Sequence, residues 1–187
     1  SDLHLGVGSP PTIRIDGELL QLNTQPLAPN RMNELIYSIL TDEQIAEFEE
    51  RWELDFAYSV RGLSRFRVNV HRQRGTIGAV FRAVPVDPPS LDGLGMPDVI
   101  KSFCSRPRGL VLVTGPTGSG KSTTLAAMIR EINIARRCHV VTIEDPIEFL
   151  HGNEKSIIIQ REVGSDTKTF SSALRHVLRQ DPDVILI

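Results

Sequence analysis

The chain has 187 residues, of which 40% are hydrophobic and 24% charged, with two cysteines and a net charge of −2. These are the proportions of a globular protein of one large or two small domains. No apolar run approaches the roughly 20 residues that span a bilayer, and no signal peptide opens the chain. Charge is uneven. Residues 1–100 hold nine basic against fourteen acidic residues, and residues 101–187 twelve against nine. A dedicated duplex-DNA binder would carry a strong positive field, so no nucleic-acid partner is expected. Cys104 and Cys138 are far apart and read as reduced thiols of a cytoplasmic protein.

Residues 12–22 alternate around Asp16-Gly17, the signature of a β-hairpin with a two-residue turn. Met32, Leu35, Ile36, Ile39 and Leu40 fall on one face of an amphipathic helix. Thr41, with Gln44 three residues on, predicts a capping box that opens a second, acidic helix through about Arg51. Alternating runs at 54–60 and 66–70, then a third at 77–82, predict an antiparallel sheet. Residues 1–84 therefore read as a small α+β domain. Prolines 85, 88 and 89 break regular structure and mark 85–97 as a linker or hinge, ahead of an α/β domain over 98–187. A short helix is expected around 97–104, and strand and helix then alternate as in a parallel sheet with crossover helices.

Gly115-Pro116-Thr117-Gly118-Ser119-Gly120-Lys121-Ser122 fits the phosphate-loop pattern. The apolar run 109–114 before it is expected to be a buried strand, and the run from Ser122 and Thr123 onward a helix. In that context backbone N–H groups and the helix N-terminus can cradle a nucleotide's phosphates. Lys121 would reach the β- and γ-phosphates and Ser122 would ligate Mg²⁺, making ATP and Mg²⁺ the expected ligands.

The strand expected at 140–143 ends in Glu144 and Asp145, where doubly wound sheets place their ligands. These acids could serve as a metal-water ligand or a water-positioning base, or could form only an acidic turn. A last apolar run, 184–187, reads as a buried strand and the start of a second acid-bearing element. Its acid would fall at residue 188 or 189, so we expect a piece of a longer polypeptide that binds nucleotide better than it hydrolyses it. Arginines 61, 65, 67, 72, 74 and 82 crowd the first half. They form either a solvated polar face or a set of phosphate contacts at an interface. The histidines have no metal spacing, and His151 follows the acidic segment closely enough to merit mutation.

Four segments together, GPTGSGKSTT at 115–124, TIEDPIEF at 142–149, QREVG at 160–164 and LRQDPDVILI at 178–187, resemble the secretion-ATPase superfamily of type IV pili and type II secretion. Residues 1–5, RFRVNV at 65–70 and IEFLH at 147–151 are most similar to its PilT-like twitching-motility ATPases. The resemblance implies an N-terminal PAS-like domain hinged to a RecA-like ATPase domain, assembled as a homo-hexamer. It places Glu144, Asp145 and Glu148 in the family's Asp box and has Arg67 and Arg82 contact the nucleotide when the domains close. The implied role is ATP-driven pilus retraction at the cytoplasmic face of the membrane, against an inner-membrane pilus-base protein. An assembly or type II secretion ATPase is the alternative, and a RecA-like DNA-transfer motor is the alternative from another class.

Overall fold

The structure, a computed structural model, describes residues 2–187. It is a mixed α/β chain of two compact units, one ending at Val84 and the other spanning Pro85–Ile187.

The first unit is built on one antiparallel sheet. Its strands are β1 (Asp2–Gly6), β2 (Thr12–Ile15), β3 (Glu18–Gln21), β4 (Glu53–Val60), β5 (Ser64–Gln73) and β6 (Thr76–Ala83), ordered β3-β2-β1-β6-β5-β4. The hairpin of β2 and β3 turns at Asp16 (φ 48°) and Gly17 (φ 89°), the left-handed pair that matches strand twist. The sequence reading does not foresee β1. Asp2-Leu3-His4-Leu5 does alternate, but only its pairing with both β2 and β6 makes it a strand, and that pairing joins the hairpin to the later strands.

Two helices cover one face of this sheet, α1 (Pro29–Tyr37) and α2 (Asp42–Arg51). Helix α1 stops at Tyr37, so Ile39 and Leu40 lie in the turn rather than on the helix. The capping box of α2 forms in full. Thr41 Oγ1 accepts from the Gln44 N–H, and Gln44 Oε1 accepts from the Thr41 N–H. Met32, Ile36 and Phe48 from the helices meet Leu54, Val68, Val70, Ile77 and Ala79 from the strands, forming the core.

In the second unit, α3 (Asp98–Cys104) and α4 (Lys121–Ala135) precede β7 (His139–Glu144), β8 (Ile157–Glu162), α5 (Phe170–Val177) and β9 (Val184–Leu186). The strands form a parallel sheet ordered β8-β7-β9. Its central strand alternates between two cores, as a strand buried on both faces must. Val140 packs with Leu91, Cys104, Ala127, Met128, Ile129 and Ile132. Val141 and Ile143 pack with Ala173 and Val177.

Two expectations need correction. Residues 109–114 form no strand, and Leu110 and Leu112 are 83% and 75% exposed. Apolar composition alone does not make a strand. A ladder partner is required, and neither β8 nor β9, the sheet's edges among the described residues, supplies one. The terminal run pairs with β7 as β9, but at the sheet's edge it is half-buried rather than buried, and Ile187 is exposed.

Candidate nucleotide site

The glycine loop leads directly into α4. Gly120 occupies the N-cap with φ 86°, a conformation that L side chains rarely adopt, and it lets the chain turn into the helix at once. Gly115 sits at φ 154°, and a Cβ there would fall 2.7 Å from Ser119 Oγ, which would have to swing away. Helix α4 begins with no side-chain cap and no acidic residue in its first turn. Its first N–H groups thus face outward as donors at the positive end of the helix dipole. That arrangement fits a phosphate group. The Lys121 ammonium bends back over the loop and donates to the carbonyls of Gly115 and Pro116, both at 2.9 Å. An anion on the loop would compete for this ammonium as a charge-assisted partner.

Ser122, on the first turn of α4, lines a cavity of about 170 Å³ together with Thr142, Glu144, Asp145, Glu148, His151 and apolar neighbours. Phosphate-loop helix and acidic strand end therefore share one concave space within the second unit. Glu144 is strongly oriented there. Its Oε1 accepts from the Thr142 hydroxyl at 2.6 Å and from Gln160 Nε2 at 3.2 Å, and its Oε2 accepts from the Glu148 N–H at 3.4 Å. Asp145 is exposed. Burial pushes the His151 imidazole down to about 4, so it lines the cavity as a neutral ring at physiological pH.

Arg67 and Arg82 belong to the first unit, where they stand directly opposite each other on β5 and β6. Asp2 faces Arg82 from β1 and pairs with it through two contacts, Nε to Oδ1 at 2.9 Å and Nη2 to Oδ2 at 3.2 Å. The guanidinium holds the Asp2 carboxyl below the usual carboxylate range. Arg82 nonetheless remains 63% exposed.

Sequence reasoning gives no role to the residues that support this site. Gln160 bonds Glu144, the Phe149 carbonyl and the His151 N–H. Glu162, 5% exposed, accepts from the Ile147 N–H at 3.0 Å. Buried Asn133 on α4 donates to the Gly152 carbonyl and accepts from the Glu154 N–H. The available signal is the switch from Ile157-Ile158-Ile159 to the polar run Gln160-Arg161-Glu162 at the end of the strand, within the segment 160–164.

The model of the family described as "Type II/IV secretion system protein" matches residues 13–187. The type IV pilus retraction ATPase PilT of Pseudomonas aeruginosa is 52% identical over the whole chain, which covers 54% of that protein. A twitching motility protein of Neisseria gonorrhoeae is 44% identical over 95% of the chain, covering 47% of that protein. Among solved structures, the pilus retraction motor PilT with bound ADP superposes with a TM-score of 0.90 at 50% identity, over 99% of the chain and 54% of its own length. The chain thus spans about half the length of the curated relatives it matches.

Proposed function

The chain belongs to the type II/IV secretion system protein family, and from that membership we propose that it is the nucleotide-binding part of an ATPase that retracts type IV pili. The observation that carries the reading is local. The helix that follows the phosphate loop starts uncapped, and through Ser122 it shares a cavity with an oriented carboxylate, Glu144. The identity to PilT of Pseudomonas aeruginosa, a retraction ATPase by name, supports retraction over assembly or secretion.

ATP is the proposed substrate. Residues 115–123 receive its phosphates through backbone N–H groups, and Lys121 transfers its ammonium from the loop carbonyls to the β- and γ-phosphates. The Ser122 hydroxyl would hold Mg²⁺, and the ion would supply neutralisation of charge on the phosphates. Glu144 orients the attacking water or holds a metal-bound one, with Asp145 and Glu148 on the same acidic segment. Arg67 and Arg82 add positive charge at the phosphates. Planar guanidinium groups suit that role.

The working form is a homo-hexamer on the cytoplasmic side of the inner membrane, acting on a pilus-base membrane protein. No described helix is long and apolar enough to cross a membrane. Lys121→Ala tests the core of the proposal in the complete protein. Losing one charge-assisted phosphate contact should cost about 2–3 kcal/mol, roughly thirty- to a hundred-and-fiftyfold in nucleotide affinity. Turnover should fall to background. Unchanged ATP affinity and turnover would refute the assignment.

A further inference from the structure

The motif at 160–164 has no part in the function described so far, yet one of its side chains reaches the oriented carboxylate. We propose that Gln160 is a positioning residue for Glu144, an inference that rests on the ATPase reading above.

Gln160 and Thr142 sit side by side in the register of β8 and β7. From there the Gln160 amide uses both ends. Nε2 donates to Glu144 Oε1 at 3.2 Å and to the Phe149 carbonyl at 2.8 Å, while Oε1 accepts from the His151 N–H at 2.9 Å. This network fixes which way the amide points. The reverse orientation would put an oxygen against a carboxylate and a carbonyl, and a donor against an N–H. Both amide hydrogens and one oxygen lone pair are thereby used, which leaves the side chain little freedom.

The consequence is a link between elements. Thr142, the nearest donor to Glu144, lies two residues away on the same strand and so links the carboxylate to no other element. Gln160 ties that carboxylate to β8 and, through Phe149 and His151, to the segment that carries Glu148. Two residues on, Glu162 ties the same segment at Ile147, and the Ser165 hydroxyl donates to its other oxygen at 3.2 Å. Strand β8 is thus the template on which the acidic segment is laid, and Gln160 is where that template touches the acid. Supporting residues of this kind set the geometry of a reacting group without touching substrate.

The alternative role is purely structural, a buried amide that satisfies loop N–H and C=O groups. A double-mutant cycle with Glu144 in the complete protein separates the two. Gln160→Met keeps volume and removes every polar contact. If Gln160 acts through Glu144, kcat should fall roughly tenfold to a hundredfold, the effect of a misplaced reacting group. The KM for ATP should stay within about twofold, because the phosphate loop is unaltered. In a Glu144→Gln background the same substitution should change the residual kcat by less than about twofold.

An equal loss in both backgrounds, or a loss carried by KM, would overturn the proposal. Should Gln160→Met fail to fold, Gln160→Glu takes its place, since it keeps the acceptor for His151 and turns the donating end against Glu144 and the Phe149 carbonyl. If neither variant folds, the role lies in the fold and the proposal falls. An enzyme that needs Lys121 and Glu144 yet tolerates both Gln160 variants would refute this inference alone. One that turns over ATP equally well without Lys121 would refute the ATPase reading, and this inference with it.

Discussion

Protonation of His151 is harder in the folded chain than in the unfolded one, because burial drives its pKa from 6.5 to about 4. Protons therefore favour the unfolded state. The stability tied to this ring is full above about pH 6.5 and is lost as pH falls toward 4. The full difference corresponds to about 3 kcal/mol, which the ring's exposed part reduces to about 1–2 kcal/mol. Urea unfolding at pH 7 and pH 5 measures it, and His151→Gln should flatten the difference. An unchanged acid loss in the variant would place the titration elsewhere. Cys104 shows the same physics with the opposite sign. Burial raises its thiol to about 11, so at pH 8 it stays protonated and packed in the core. Alkylation followed by mass spectrometry should find it unmodified in the folded protein, because only the thiolate reacts. Rapid labelling of native Cys104 would contradict its burial.

At the level of elements, the capping box of α2 gives a direct test of local design. Thr41→Ala removes the side-chain acceptor of the Gln44 N–H and should cost about 1 kcal/mol. That corresponds to roughly 2–4 °C in melting temperature for a chain of this size. No shift would mean that tertiary packing alone holds the helix start. This box, the hairpin at Asp16-Gly17 and the alternating strands β4 to β6 are legible in the sequence because each is set by residues within a few positions of one another. The phosphate loop is legible for the same reason.

What escapes is non-local. Strand β1 is defined by partners about ten and eighty residues away, and residues 109–114 look like a strand but lack a partner among the described residues. In the site, Glu144 is readable as an acid at a strand end, whereas its partner Gln160 is brought to it only by the parallel pairing of β7 and β8. Composition cannot announce that contact.

Across the whole molecule the chemistry divides between two compact units. The loop, Ser122 and the acids lie in the second, and the paired arginines lie in the first. On the proposed reading, nucleotide binding draws arginines to phosphates, hydrolysis releases them, and a ring of subunits turns that cycle into force on the pilus base. Asp2 belongs to this scale because it holds the exposed Arg82 by two contacts. Asp2→Asn leaves the arginine less restrained and should slow turnover more than it weakens ATP binding, which steady-state kinetics would read as a fall in kcat at nearly constant KM. A rise in KM alone would instead make Asp2 part of ground-state binding.

The central claim, that this chain powers fibre retraction by turning over nucleotide at Lys121, is tested most directly in the native host. The gene is deleted and then restored as wild type or as Lys121→Ala, while surface fibres are counted and surface motility is scored. Retraction predicts abundant fibres on immotile cells for both the deletion and the Lys121→Ala strain, with motility returning only with the wild-type gene. Cells that lose their fibres, or that move normally with Lys121→Ala, would contradict it.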